Sequence, residues 1–286
     1  MLSIDSKEIA TGKLHSYLLD AVAPRPIALA STISENESPN LSPFSFFNVF
    51  SSNPPLLVFS PARRVRDNTT KHTLENAEKT KEVVVNVVTY DMVQQVSLSS
   101  TEYAKGVNEF IKAGFTMLPS DLIKPFRVAE SPVQFECKVN DIIYTGTEGG
   151  AGNLIVCEIL KIHISETVLD ENNTIDQYKI DLVGRAGGNF YTRAKDGFFE
   201  IPKPVATLGV GVDMIPETIR NSSVLTGNNL GVLGNVPSIP TQVDVDNFTK
   251  EHPEFIGLEE LKKHTFAQAY LNKNDVESAW KVLLIK

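Results

Sequence analysis

Polar side chains interrupt the apolar runs of PRPIALASTISENESPNLSPFSFFNVFSSNPPLLVFSP, residues 24–61, at Ser31, Thr32, Ser42, Ser45, Asn48, Ser51, Ser52 and Ser60. Hydroxyl and amide groups at strand ends suit a phosphate or a polar heterocycle, because each offers a donor or an acceptor at the rim of an apolar wall. The chain continues as ARRVRDNTTKHTLEN, where Arg63, Arg64, Arg66 and Lys71 form the densest basic cluster, just before a helix start near Thr73. A helix start presents unpaired N–H groups and the positive end of the helix dipole, so Arg and Lys beside it make an anion site. The same residues also fit strand-end turns and a solvated basic loop, and composition alone leaves both readings open.

Other chemistries lack their signatures. The five histidines, at 15, 72, 163, 252 and 264, show no HExxH spacing and no nearby Cys or carboxylate of the zinc-site type, so no protein metal site is expected. Neither a Gly-x-Ser-x-Gly elbow nor a P-loop occurs. Gly209-Val210-Gly211 begins like a dinucleotide fingerprint, but Met214 replaces the third glycine and no βαβ unit surrounds it. Carboxylates are plentiful, yet no pair is placed by sequence across a scissile bond. What remains is chemistry supplied by a bound cofactor.

The elements that must position these residues read as mainly β. From Arg25 to Val88, short apolar runs alternate with turn residues, with LSPFSFFNVF taken as one run, followed by SSNPP and LLVFS. Helix formers fill 71–81, and EVVVNVV then reads as a strand buried on both faces. Val133, Phe135, Cys137 and Val139 alternate with Gln134, Glu136, Lys138 and Asn140, the period of a strand with one wet face. NLIVCEILKIHI pairs with it across the glycine-rich TGTEGGAG. Many strands with one main helix between them indicate an antiparallel barrel rather than βαβ units. Beyond Pro202 the chain is rich in Gly, Pro and Asn and reads as an ordered, loop-like extension. A last amphipathic helix carries Val276, Ala279, Trp280, Leu283 and Leu284 on one face, with Asn274 and Glu277 as cap and capping-box partner.

Composition sets the limits. The 286 residues are 42% hydrophobic and 22% charged, ordinary for a packed globular chain. With 27 basic and 35 acidic residues the net charge is −8, the wrong sign for wrapping a phosphate backbone, so nucleic acid is not an expected partner. Cys137 and Cys157 lie in strand-like runs and read as small core residues, which suits a reducing, cytoplasmic location. No window approaches the about 18 to 20 apolar residues of a membrane span, so no membrane association is expected.

The blocks APRPIALAST, NLSPFSFFNVFSSNPP, FSPARR, KHTLEN and EVVVNVVT, in this order and spacing, resemble the flavin reductase-like family of FMN-binding split barrels. The likeness runs on through YAKGVNEFIKAGFT and VAESPVQFECKV and covers roughly residues 15–200. It implies a six-stranded antiparallel split barrel with short helices over residues 1–200, a homodimer, and FMN near the subunit interface. Residues 201–286 would be a C-terminal extension packing on the barrel or on the dimer partner. Carried over by position, Ser42, Ser45 and Asn48 would line the isoalloxazine and ribityl chain, and Ser60 and Arg63 would reach the phosphate. Lys71 and Thr73 match the family's Lys-x-Thr at the helix start, although His72 stands where members often carry Asp. Arg25 has two readings, a contact to phosphate or to a nicotinamide nucleotide, and a structural arginine. Asn108 and Glu109 would either border the pocket or lie on a solvated helix face.

The resemblance further implies hydride transfer from NADH or NADPH to flavin N5, with electrons passed to free flavin, oxygen, a monooxygenase or another redox protein. No side-chain acid or base is required for this, and no catalytic residue is assigned. A non-enzymatic, flavoredoxin-like electron carrier is the rival expectation, and a barrel that binds another ligand is the third.

Overall fold

The uncharged run ALASTI has no polar face to offer water, and it forms β1 (Ala28–Ile33), buried along its whole length. The computed structural model describes residues 1–201 and 208–286, in two compact units, Met1–Phe198 and Phe199–Lys286. Among the described residues no helix is long and apolar enough to cross a membrane.

In the first unit α1 (Thr11–Ala21) precedes β1, and β2 (Pro39–Phe44), β3 (Phe47–Ser52) and β4 (Pro55–Phe59) follow it. Next come α2 (His72–Thr80), β5 (Glu82–Val87), α3 (Val93–Ser99), α4 (Glu109–Ala113) and the short pair β6 (Met117–Leu118) and β7 (Arg127–Val128). The long hairpin β8 (Val133–Tyr144) and β9 (Asn153–Ile164) leads to α5 (Gln177–Ile180) and a second short pair, β10 (Val183–Arg185) and β11 (Tyr191–Arg193). The main sheet is antiparallel, in the order β2-β1-β5-β8-β9-β4-β3. It has seven strands rather than the six implied by the resemblance, and its pairing does not close from β3 back to β2. The extra strand arises because LSPFSFFNVF is two elements: the chain leaves β1 after Phe44 and pairs with β4 from Phe47 onward.

The inner face of the sheet wraps one core. Ala28, Ala30, Phe44, Leu57, Phe59, Val83, Val85, Val139 and Ile155 meet Leu74 and Ala77 of α2. Cys137 and Cys157 sit in this core as free thiols, and burial drives both pKa values upward, that of Cys157 to about 12. On the other side, Leu29 and Leu41 pack with Met92, Val96 and Phe110, which brings α3 and α4 against β1 and β2.

The wet face expected on β8 is not wet at its start, because Gln134 is 6% and Glu136 0% exposed. The segment between β6 and β8 folds over them. Glu136 accepts the N–H groups of Asp121 and Leu122 at 2.9 and 2.7 Å, and Gln134 donates to the carbonyls of Val128 and Ser131. A loop's unpaired N–H groups thus require a polar strand face that period-2 reading assigns to solvent.

The second unit is helical where a loop was expected. It contains α6 (Glu217–Arg220), α7 (Gly227–Gly234), α8 (Gln242–Glu251), α9 (Glu260–Leu271) and α10 (Val276–Leu284). Thr226 and Thr241 close capping boxes with Asn229 and Asp244, so the Asn- and Gly-rich texture hides proper helix starts. On α10 the cap is Asp275, whose carboxylate accepts the Ser278 N–H, while Asn274 takes the left-handed conformation just before it. The expected apolar face of α10 does bury Trp280, whose indole N–H donates to the Leu233 carbonyl at 3.0 Å.

Candidate functional site

The turn from β4 into α2 carries the basic cluster, and α2 starts on Lys71 with no side-chain cap. First-turn N–H groups left without such a cap point outward and favour an anion. A small cavity opens there, lined by Asn40, Ser42, Arg64, Lys71, Thr73 and the segment Ser99–Tyr103. Beside it lies a larger cleft of about 640 Å³, lined by Ile27, Pro43, Phe44, Ser45, Phe46, Ser60 and Lys71, with His15 and Leu19 of α1 and Arg185 and Tyr191 of the β10–β11 pair. Lys71 and Ser100 border both. The larger volume falls within the about 300–1,000 Å³ usual for small-molecule sites.

Six of the residues singled out by sequence reach these cavities. Ser42 and Thr73 line the small one, Arg25, Ser45 and Ser60 the large one, and Lys71 both. Thr73 is buried and accepts a hydrogen bond from Asn40 Nδ2 at 3.0 Å, so its hydroxyl keeps its proton to donate. Ser60 accepts the Asn153 N–H at 3.0 Å, which fixes the start of β9. Arg25 is 6% exposed, and its guanidinium donates to the carbonyls of Leu19, Val22 and Ala186 and, at 3.4 Å, to Ser45 Oγ. Burial, together with the nearby Arg185 and against the pull of Asp20, lowers its pKa. It ties the end of α1 to the 186 turn across one wall of the cleft.

The other two are placed elsewhere. Asn48 is exposed on β3, where its side chain accepts the Val49 N–H. Arg63 closes its own loop, donating to the Asn68 side chain and carbonyl at 2.6 Å each. Arg64 is the arginine that enters the small cavity. Consecutive residues in an irregular turn point in different directions, and no periodicity indicates which of Arg63 and Arg64 turns inward.

Two acids complete the site, and a further cluster lies apart from it. Glu102, after α3, takes Arg64 Nε at 2.7 Å, Arg66 Nη2 at 3.0 Å and Lys71 Nζ at 3.4 Å. The hydroxyl-rich SLSST segment that supplies Ser99 and Ser100 was the visible signal for this wall. Glu109 is buried rather than on a solvated face: it lines the small cavity and accepts the Leu41 N–H at 3.0 Å, and burial raises its pKa. Asn108 caps α4 by accepting the Phe110 N–H. Far along the sheet, Asp121, Glu136 and His163 bring ligand-type atoms within 4.8 Å of one another, a cluster that chain spacing did not suggest. Its contacts are internal, since Glu136 holds His163 Nε2 at 2.6 Å and two loop N–H groups while Asp121 pairs with Lys161.

Residues 21–180 match the flavin reductase like domain. The chain belongs to that family. An uncharacterized protein of Aquifex aeolicus (strain VF5) is 39% identical over 188 residues, covering 66% of this chain and 93% of its own. Among solved structures, nitrilotriacetate monooxygenase component B from Bacillus cereus superimposes with a TM-score of 0.65 at 24% identity, over 71% of this chain and 98% of that one. A split barrel domain protein from Shewanella frigidimarina NCIMB 400 gives 0.60 at 21% identity, over 71% and 100%. The fold is of the split-barrel type, mainly β with short helices, and the family match lies wholly within the first unit.

Proposed function

We propose that the first unit binds FMN across the two cavities and works as an NAD(P)H-dependent flavin oxidoreductase. The observation that carries this reading is the juxtaposition of an uncapped helix start, where Arg64 of the preceding loop joins Lys71 and Thr73 around the small cavity, with a ring-sized cleft walled by Ile27, Phe44 and Phe46. The residues present fit the group, since the donors gather at one end and the apolar surface at the other. Arg64, Lys71, Thr73 and Ser42 hold the phosphate in this proposal, and Ser45 and Ser60 stand by the ribityl chain and ring edge. Arg25 keeps the cleft wall in place, and α1 with Tyr191 narrows access of water to the ring. Bound FMN would supply the two-electron chemistry, taking hydride from NADH or NADPH and passing the electrons to a second acceptor. The protein's part is then orientation and exclusion of solvent, and no side chain need exchange a proton.

The proposal includes a homodimer and an electron acceptor that is a separate protein or free flavin. Exposed apolar residues on the sheet, Val49 and Phe50 of β3 and Leu160 and Ile162 of β9, support a second copy as cover. The likeness to a monooxygenase component supports a monooxygenase as acceptor. The deciding experiment is the visible spectrum of the purified protein with FMN, followed by anaerobic NADH and then NADPH. Prompt bleaching identifies the reductase and its donor. A flavin spectrum that persists would replace it with an electron carrier, and absence of flavin binding would refute the site.

A further inference from the structure

Glu102 occupies the point on which the cations of the small cavity converge. One carboxylate takes Arg64, Arg66 and Lys71, and Arg66 is shared with Asp67 at 3.2 Å. Those contacts, led by the hydrogen bond from Arg64, hold the Glu102 pKa down to about 2, so the group is ionised at every physiological pH. The ion-paired cluster of Arg64, Arg66 and Lys71 with Glu102 and Asp67 carries a single positive charge, and the buried Glu109, whose pKa burial raises, stands at the same cavity. A phosphate monoester brings about −1.5 to −2 at pH 7.

The donors that Glu102 uses are also those a phosphate would use. Guanidinium and ammonium groups donate hydrogen bonds to carboxylate and phosphate oxygens alike. An incoming phosphate therefore meets an internal competitor rather than waiting donors. Glu102 is also not fixed by secondary structure. It lies outside helix and strand, in the segment between α3 and α4, and its side chain is 42% exposed. Turning it outward gives up the contacts to Arg64 and Lys71, a cost that water offsets only in part.

We infer that Glu102 is a displaceable counter-ion that sets how tightly the cleft holds phosphorylated flavin. It must leave Arg64 and Lys71 when the phosphate enters, which lowers affinity for FMN while leaving affinity for the unphosphorylated ring untouched. Flavin then exchanges instead of staying bound as a permanent group. This inference rests on the flavin reading of the cleft. Its opposite is a Glu102 that holds the two cations in position for the phosphate, and the two make opposite predictions.

The test titrates the full-length wild type, Glu102→Gln and Glu102→Ala with FMN and with riboflavin, following flavin fluorescence, and repeats the FMN titration with inorganic phosphate as competitor. Removing the carboxylate that competes with the phosphate for Arg64 and Lys71 is expected to tighten FMN about tenfold, with riboflavin within about twofold. Inorganic phosphate should also compete with FMN at lower concentration in both variants. Using Ala beside Gln separates loss of charge from a hydrogen bond that the amide could retain. If the variants bind FMN as wild type does, or more weakly, the counter-ion role is wrong while the flavin site stands. If the wild type binds neither flavin, or if wild type and both variants alike bind FMN no more tightly than riboflavin, the flavin-phosphate reading itself fails and the inference falls with it.

Discussion

Replacing Arg64 and Lys71 together by alanine tests the proposed phosphate end directly. Their side chains are 18% and 29% exposed, so each is screened by water on one side only. A charged hydrogen bond contributes about 1.5–3 kcal/mol when well buried, and partial exposure brings this to about 1 kcal/mol per residue. The pair should therefore cost about 2 kcal/mol, which is about thirtyfold in FMN affinity. This is a lower bound, because the double variant leaves Glu102 with Arg66 alone, and its charge then repels the phosphate. Arg63→Ala is the internal control, since that guanidinium is engaged by Asn68 and does not line either cavity. Fluorescence titration with FMN and riboflavin reads the result, with a thermal melt to confirm folding. The reasoning is refuted if FMN and riboflavin weaken equally, or if Arg63→Ala weakens FMN as much as the double variant does.

Three further outcomes concern the scaffold. Glu136→Gln should lose about 1–3 kcal/mol at neutral pH, because a buried carboxylate that accepts two loop N–H groups and His163 loses its charge. Burial alone would raise the Glu136 pKa, but those hydrogen bonds outweigh it and the pKa falls below 4.5. Its stabilisation is thus present above about pH 4.5 and fades as acid protonates the folded state, so the variant should show a shallower acid limb in urea titrations from pH 7 to about pH 3. Trp280→Phe removes the bond to the Leu233 carbonyl and some core volume, for a loss of about 2 kcal/mol in the helical unit, measured by far-ultraviolet circular dichroism on heating. Cys137 and Cys157 should resist a thiol reagent in the native protein and react fully once denatured, because both thiols are buried and their pKa values raised.

Much of the first unit was legible because its strands announce themselves by composition. EVVVNVV and ALASTI have no polar face, and KHTLENAEKT could only be a helix between strands. Legibility failed where tertiary contacts decide which face is wet. Glu136 and Gln134 look like solvent positions by period, yet they satisfy the backbone of a loop that returns over β8. It failed again at LSPFSFFNVF, where one apolar run changes partners midway. In the second unit the Gly-, Pro- and Asn-rich stretch that suggests a loop contains a helix start, where Asn229 closes a capping box with Thr226, and Thr241 caps the next helix. Local chemistry at a cap and at a turn is the same, and only the residues after it tell them apart.

The candidate site shows the same division at the scale of single residues. A segment's contribution was readable, while the direction of each side chain was not. Ser42, Ser45, Ser60, Arg64, Lys71 and Thr73 come to the two adjoining cavities, since the segment after β4 carries the basic run to the start of α2. Which arginine turns inward depends on the Arg63–Asn68 contacts, which close a loop of six residues and leave Arg64 facing the cavity. The acid that balances the cations comes from a different part of the chain, because α3 and α4 pack against β1 and β2 and carry the intervening Glu102 to the start of α2. A cluster read from one stretch of sequence shows only its own charge. Its counter-ion is set by the fold, and for that reason the strength of this anion site is a property of Glu102 as much as of Arg64 and Lys71.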